Sequence, residues 1–275
     1  MKRFIAVASV ALAAVGLLSA CAGTQGAGRV TGQPAPAVPV SDYKPVETIV
    51  SGTARTRAKS HTDLALAYLE AGNVAVALEE ARLALRDDAS YGPAYNVIGL
   101  AHMYLQEGPL ARENFEKALR FAPSDPDINN NFGWFLCQNG EVARAMELFN
   151  VAIKNPLYNF PTRPYTNAGL CSMQAGDLAS AEVNLLRAIN ADPTNLQAIF
   201  NLALLFYNRG NYFEARKYLS DFHAQRDSVA ESLWLAVRIE RKLGDKASEA
   251  GFAGQLRRRF AGTPEHQLLM QGKYD

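Results

Sequence analysis

Apolar side chains recur at helical spacing along most of this chain, and the helical runs are interrupted at regular intervals by glycine. Four stretches align on that glycine: "YLEAGNVAVALEEARLAL", "FLCQNGEVARAMELFNVAI", "SMQAGDLASAEVNLLRAI" and "FYNRGNYFEARKYLSDF". Each contains a helical run, a glycine, a polar residue and a second run at helical spacing. The period is 34 residues, with two residues inserted once. A period of this length predicts a stack of helical hairpins that bury their apolar faces against one another.

The 34-residue helix-turn-helix period is typical of the tetratricopeptide repeat (TPR), so we expect an all-α superhelical solenoid of about six repeats. The expected repeats are 58–91, 92–125, 126–161, 162–195, 196–229 and 230–263, within a domain spanning 58–263. Numbered within the repeat, positions 8 and 20 hold only Ala or Gly in the first five repeats. Small side chains at these positions are expected to let helices A and B of one hairpin approach closely.

Three segments depart from the repeat pattern. In repeat 2 the glycine is displaced to Gly108, so helix A is predicted to run half a turn longer there. Between repeats 3 and 4, "NPLYNFPTRPY" carries three prolines, which predict a non-helical connection. In repeat 6, Glu240 and Glu249 replace an aromatic residue and an alanine, as expected for a terminal cap with a polar outer face.

The N-terminus has the pattern of a secretory signal. Lys2 and Arg3 precede an apolar stretch that ends at Leu18-Ser19-Ala20-Cys21. This last segment resembles the bacterial lipobox, in which the cysteine receives a thioether-linked diacylglycerol and an amide-linked acyl chain. We therefore expect a signal peptide over 1–20 and lipidation at Cys21, with no other cofactor. An ordinary signal peptide is the alternative. By resemblance to Gram-negative lipoproteins, alanine at position 22 favours transfer of the protein to the outer membrane. We therefore expect the protein to be anchored at the periplasmic face of that membrane.

Residues 21–57 are rich in Gly, Pro, Ala, Thr and Ser and contain few large apolar side chains. Such a composition cannot bury enough apolar surface to offset the entropy lost on ordering, which predicts a flexible tether. The segment "VETIV" (46–50) could instead pack on the first helix. Residues 264–275 are expected to form a C-terminal tail.

Charge and composition exclude several functions. The formal charge is +1, and becomes −1 if Lys2 and Arg3 leave with the signal. A near-neutral chain has no general attraction to nucleic acid. The four histidines are widely separated, and no nucleophile, phosphate-binding or metal-ligand motif is present, so we expect no catalytic residue, no metal and no small-molecule substrate. Cys137 and Cys171 lie on apolar helix faces and are expected to pack as small apolar side chains, with a disulfide as the alternative.

In TPR folds, helix A lines the inner groove of the solenoid through repeat positions 2, 5, 9, 12 and 13. Position 9 is apolar in all five repeats. Together with neighbouring positions, it predicts an apolar stripe along the groove that binds a partner. The alternative is that these side chains pack between adjacent helices. The candidate groove residues are Leu66, Leu69, Leu100, Met103, Tyr104, Trp134, Leu170, Met173, Phe200, Leu204 and Tyr207. Position 5 lacks lysine and position 9 lacks asparagine, which argues against a clamp for a C-terminal carboxylate.

The segment "INNNFGWFLCQNG" (128–140) closely resembles the third repeat of the type IV pilus biogenesis and stability lipoproteins, the PilF/PilW family. The next repeat, "PYTNAGLCSMQAGDLASAEVNLLRA", is similar to that family as well. The resemblance extends over residues 58–267.

This resemblance implies a pilotin, an adaptor that binds secretin subunits and promotes their outer-membrane localisation and multimerisation. It also implies that the early repeats contact the secretin, here through Leu66, Leu69, Leu100, Met103 and Tyr104. The alternatives are passive stabilisation of assembled pili and a general periplasmic TPR scaffold for outer-membrane protein assembly or cell-wall enzymes.

Overall fold

The computed structural model describes residues 53–156 and 158–274. This part of the chain contains thirteen α-helices and no β-strand, which confirms the predicted all-α class. The signal peptide, Cys21 and nearly all of the expected tether lie outside the described residues. The helices are α1 (Ala54–Glu70), α2 (Val74–Asp87), α3 (Gly92–Tyr104), α4 (Gly108–Phe121), α5 (Pro126–Gln138), α6 (Val142–Lys154), α7 (Thr162–Gln174), α8 (Leu178–Ala191), α9 (Leu196–Asn208), α10 (Tyr212–Gln225), α11 (Ala230–Leu243), α12 (Lys246–Arg259) and α13 (Pro264–Gln271).

Helices α1 to α12 pair in order into six antiparallel hairpins, each with an odd-numbered helix A and an even-numbered helix B. Each helix A contacts the helix A of the next hairpin. Among the described residues, no helix B contacts another helix B. The stack therefore curves with the A helices on its inner side, and these helices form the surface of the groove.

Side-chain caps fix where many of these helices begin. The oxygens of Asp125, Asp177 and Asn195 each accept a hydrogen bond from the backbone N–H three residues later. Such caps satisfy one of the backbone donors that the first turn of a helix leaves without a partner. The first helix begins at Ala54 behind the Thr53 cap, four residues before the expected start of repeat 1.

Close packing between helices A and B depends on repeat position 8, where the sequence predicts small residues, and on position 24, whose side chain faces it. A Cβ atom added at Gly133 would lie 2.8 Å from the Phe149 ring. At Gly169 it would lie 2.7 Å from Leu185. No real Cβ atom tolerates such distances, so position 8 is restricted to small residues wherever position 24 is large.

The turn between helices A and B is the same in all six hairpins, and the prediction of a longer helix A in repeat 2 is wrong. Helix α3 has 13 residues, as do α5, α7 and α9. Gln106 occupies the turn position that glycine holds in the other repeats, and its φ of 61° is left-handed. The displaced Gly108 begins α4 instead. The repeat thus keeps its geometry by placing a non-glycine residue in an unfavourable conformation.

The C-terminal end differs from the expectation in two ways. Residues 264–271 of the expected tail form α13, which packs on α11 and α12 through Leu269 and Leu268. Glu240 is 4% exposed, and its carboxylate accepts two hydrogen bonds from the Arg216 guanidinium of the preceding repeat. Glu240 therefore joins repeat 6 to repeat 5 and does not belong to a polar outer face, and α13 packs on repeat 6.

Candidate partner-binding groove

The candidate groove residues are most exposed at the N-terminal end of the stack. The Leu66 side chain on α1 is 40% exposed, and that of Tyr104 on α3 is 65% exposed. Leu69, Leu100 and Met103 are half-buried and pack against the core clusters beneath them. Repeats 1 and 2 therefore present a contiguous apolar surface, here called the N-terminal apolar surface, which comprises these five residues.

Farther along the stack the candidate stripe becomes more covered. Its members on α5, α7 and α9 are half-buried: Trp134, Leu170, Met173, Phe200 and Leu204. Met173, Phe200 and Leu204 pack against one core cluster, and Trp134 packs against another. These side chains contribute both to the packing between repeats and to the floor of the groove.

Tyr207 is not part of the accessible groove, contrary to the sequence prediction. Its side chain is 7% exposed, and the Arg238 guanidinium lies 4.4 Å from the centre of its ring. Arg238 belongs to α11 and also donates a hydrogen bond to the Tyr274 carbonyl oxygen at 2.9 Å. The sixth repeat and the chain that follows α13 therefore close the C-terminal end of the apolar stripe.

A disulfide joins Cys137 on α5 to Cys171 on α7, with the Cα atoms 5.8 Å apart. The expectation that the two cysteines pack as separate thiols is wrong. They occupy repeat positions 12 and 10, which do not correspond, but the two-residue insertion leaves them 34 residues apart. Adjacent A helices then bring the two sulfurs together. The bond fixes repeat 3 to repeat 4 at the floor of the groove.

A network of asparagine side chains crosses the groove beside this disulfide. The Asn167 amide donates to Asn130 Oδ1 at 2.9 Å, and the Asn130 amide donates to Asn131 Oδ1 at 3.1 Å. Asn131 in turn donates to Asn96 Oδ1 at 3.3 Å. The network thereby connects α7, α5 and α3. Sequence analysis did not identify it, although asparagine recurs at repeat position 6 in repeats 3 to 5, at Asn131, Asn167 and Asn201.

The proline-rich connection between repeats 3 and 4 is non-helical, as predicted, and it is fixed to the groove side of α5. The buried Tyr158 hydroxyl donates to Asp127 Oδ1 at 2.9 Å. Burial, together with the Asp127 carboxylate, raises the pKa of the Tyr158 phenol, which therefore remains a hydrogen-bond donor at neutral pH. Arg163 lies 3.6 Å from the same carboxylate.

The described residues contain no group of three or more His, Cys, Asp or Glu side chains that could hold a metal ion. His61 lies 2.7 Å from Glu80 and 3.9 Å from Asp87. His102 contacts Glu107, and His223 contacts the Ser232 hydroxyl at 2.9 Å. In the same part of the chain, no helix has the length and apolar character required to cross a membrane.

Comparison with known proteins gives matches to family models, to curated relatives and to solved structures. Tetratricopeptide-repeat family models match residues 96–162 and 184–217. The type IV pilus assembly protein PilF of Pseudomonas aeruginosa is 28% identical over 214 residues, which cover 78% of this chain and 85% of PilF. An uncharacterised protein of Haemophilus influenzae is 32% identical over 140 residues, which cover 50% of this chain and 77% of that protein.

Two solved structures align over the same extent. The crystal structure of PilW, a widely conserved type IV pilus biogenesis factor, superposes with a TM-score of 0.73 at 29% identity and covers 78% of this chain and 98% of PilW. The structure of Pseudomonas aeruginosa PilF superposes with a TM-score of 0.72 at 27% identity and covers 80% of this chain and 99% of that structure.

Proposed function

We propose that this protein is a pilotin. The premise is that the chain is a tetratricopeptide-repeat protein homologous to the type IV pilus biogenesis proteins PilF and PilW. The homology confirms the family predicted from the repeats. In this role the protein binds secretin subunits, brings them to the outer membrane and promotes their multimerisation. It acts by binding, without catalysis and without a metal or organic cofactor.

The N-terminal apolar surface is the observation that carries the binding role. Most large apolar side chains in the hairpins are buried or half-buried, yet Leu66 and Tyr104 stay exposed on the inner side of adjacent repeats. Leu105, which caps the C-terminus of α3, and Leu110, in the first turn of α4, are also exposed. Contiguous apolar patches of this kind on soluble domains mark sites of protein contact, and tyrosine is enriched where interfaces bind most tightly.

In this proposal the lipid anchor holds the protein at the outer membrane. Lipidation of Cys21 provides more than one acyl chain, which is the condition for stable membrane attachment. The tether that follows lets the repeat domain lie roughly 30–35 Å from the lipid anchor, which is the r.m.s. span of a flexible chain of that length. Secretin subunits held at one membrane surface have a raised local concentration, and this favours multimerisation without any chemical step.

The test measures the heat-resistant secretin multimer and its membrane location in a strain that lacks the gene, complemented with the wild-type chain or with Cys21→Ala. We expect the multimer to be restored at the outer membrane by the wild-type chain only. Normal multimer with Cys21→Ala would overturn the anchoring role. Normal multimer without the gene, together with unstable pili, would place the function in pilus stability instead. Normal multimer and normal pili would favour the general scaffold.

A further inference from the structure

The outer side of the solenoid carries a pocket that lies away from the groove. Among the described residues, neighbouring B helices do not contact each other, so α8 and α10 leave a gap on the outer side. This gap holds a cavity of about 300 Å³, here called the outer pocket. Its lining comes from α8, the connection that follows, α9 and α10, and includes Ile189, Pro193, Ile199, Tyr218, Asp221 and Gln225.

In two other repeats, the chain's own side chains pair at the corresponding positions, which are position 4 of helix A and position 26 of helix B. In repeat 2, the Lys117 ammonium lies 5.8 Å from the centre of the Tyr95 ring. In repeat 4, the Arg187 guanidinium lies 6.0 Å from the centre of the Tyr165 ring. Both repeats therefore place a cation of the chain over an aromatic ring of the same hairpin.

Repeat 5 departs from this pattern at both positions. Position 4 holds the buried Ile199, which is smaller than tyrosine, and position 26 holds Asp221, an acid where the other two repeats have a base. The Asp221 side chain is exposed and makes no hydrogen bond or ion pair with the part of the chain that the structure describes. Lys217, one turn earlier on α10, pairs with Glu214 at 3.7 Å. Repeat 5 therefore has a cavity with an unpaired carboxylate beside it.

The walls of the outer pocket are fixed by contacts within the chain. The Tyr218 ring stacks on the Phe206 ring of α9, with the ring centres 5.5 Å apart. The Gln225 amide donates a hydrogen bond to the Pro193 carbonyl oxygen at 3.3 Å, which joins α10 to the connection between α8 and α9. Burial raises the pKa of the Tyr218 phenol, so its hydroxyl stays protonated at neutral pH. Because the walls are preformed, the entropic cost of occupying the pocket is low.

The lining defines the chemistry of the side chain that fits. Ile189, Pro193 and Ile199 provide apolar walls, and the Asp221 carboxylate adds a negative charge. An apolar side chain would partly desolvate that carboxylate without offering it a partner, which costs free energy. A basic side chain joins an apolar stem to a positive charge and so matches both features. Arginine fits better than lysine, because its guanidinium is more weakly hydrated and can donate two hydrogen bonds to one carboxylate.

We propose that the outer pocket binds an arginine side chain of a second protein partner. The methylene groups of the arginine contact the apolar walls, and its guanidinium pairs with Asp221. Ile199 in the pocket and Leu204 in the groove are five residues apart, so they lie on different faces of α9. The partner bound in the groove and the partner bound at the pocket are therefore separate segments. The proposal does not depend on the pilotin role.

The experiment measures binding of the capped tripeptide acetyl-Gly-Arg-Gly-amide to the full-length lipoprotein in lipid nanodiscs. NMR of labelled isoleucine δ1-methyl groups reports the site, because Ile189 and Ile199 line the pocket whereas Ile98 lies on α3. Two matched peptides carry citrulline or leucine in place of arginine. Citrulline keeps the shape of the arginine side chain but has no positive charge.

Three variants complete the design. Asp221→Asn removes the carboxylate, and Asp221→Lys introduces a base at position 26, as in repeats 2 and 4. Glu79→Gln, at an exposed position of α2, is the control for the loss of one negative charge. Because Asp221 is exposed, the thermal unfolding midpoints of these variants should match that of the wild-type chain.

We expect the arginine peptide to shift the methyl resonances of Ile189 and Ile199 but not that of Ile98, in the wild-type chain and in Glu79→Gln alike. Affinity should fall about tenfold in Asp221→Asn, as expected for the loss of a charged hydrogen-bonding partner, and should be lost in Asp221→Lys. The citrulline and leucine peptides should bind the wild-type chain at least about tenfold more weakly than the arginine peptide does.

Three results would each overturn the proposal. They are equal affinity of the citrulline or leucine peptide, equal affinity of Asp221→Asn for the arginine peptide, and no shift at Ile189 and Ile199. The pilotin role fails in a different assay, the one that measures secretin multimers in cells. Multimers that form without the gene would remove that role and leave the outer pocket standing.

Discussion

Repeat 1 differs from the repeats that follow it in how the same periodic frame is filled. In repeat 1, positions 8 and 24 hold Ala65 and Ala81, whereas repeat 3 has Gly133 against the Phe149 ring. The middle of the molecule adds a disulfide and an asparagine network between helices. The N-terminal end instead leaves Leu66 and Tyr104 exposed. Repeat 1 has an exposed apolar side chain without these contacts, whereas repeat 2 combines the exposed Tyr104 with Gly99 packed against Phe115 and with Asn96 in the network.

The largest effect should come from emptying the core of repeat 3. Phe149 is fully buried, so Phe149→Ala removes a large apolar side chain and leaves a cavity beside Gly133. We expect a loss of about 3–5 kcal/mol in the free energy of unfolding. Ala81→Gly, the matched change in repeat 1, should cost about 1 kcal/mol through helix propensity alone. Chemical denaturation measures both, and similar costs would remove the contrast between the two regions.

Reducing the disulfide should be the next largest change. The bond closes a loop of 34 residues, for which a stabilisation of about 2–4 kcal/mol is typical. Hydrogen exchange of the intact and the reduced protein should show the loss of protection concentrated in α5 to α8. Replacement of Cys137 and Cys171 by alanine should give the same pattern. Uniform loss across all six hairpins would show that the bond does not stabilise the middle repeats selectively.

The turn of repeat 2 should become more stable with glycine. The left-handed backbone conformation of Gln106 costs free energy, whereas glycine adopts it without strain. We expect Gln106→Gly to raise the free energy of unfolding by about 0.5–1 kcal/mol, since the added entropy of the unfolded glycine offsets part of the gain. At Gly140 an added Cβ atom has no neighbour within 4 Å, so the reverse change, Gly140→Gln, should lower the free energy of unfolding by a similar amount through backbone strain. Thermal unfolding of both variants gives the comparison, and a destabilised Gln106→Gly would contradict the account.

The smallest effect concerns pH at the junction of repeats 5 and 6. Burial lowers the pKa of His223 below its usual value of 6.5. The folded protein therefore binds this proton less readily than the unfolded chain does, and stability should be lost as pH falls below about 6.5. His223→Gln should reduce that loss while retaining a polar contact to Ser232. Identical pH dependence of the unfolding midpoint in both proteins would contradict this role.

The sequence predicts the repeat frame because the packing that defines it is local and periodic. Small residues at position 8 report directly on the large residue at position 24, as Gly169 and Leu185 illustrate. The disulfide was only the alternative prediction and the asparagine network was not predicted, because each joins residues of different repeats whose repeat positions need not correspond. The exposure of Leu66 and the burial of Tyr207 likewise depend on which neighbouring repeat covers them.

Site-specific photocrosslinking in living cells tests most directly whether the N-terminal apolar surface binds the secretin. A photoreactive amino acid replaces Tyr104 in the groove of the full-length protein or, as the matched control, the exposed Phe213 at the start of α10. Secretin antibodies then report the adducts. The account predicts a secretin adduct at position 104 and none at position 213. Adducts of equal yield at both positions, or an adduct at position 213 alone, would contradict it.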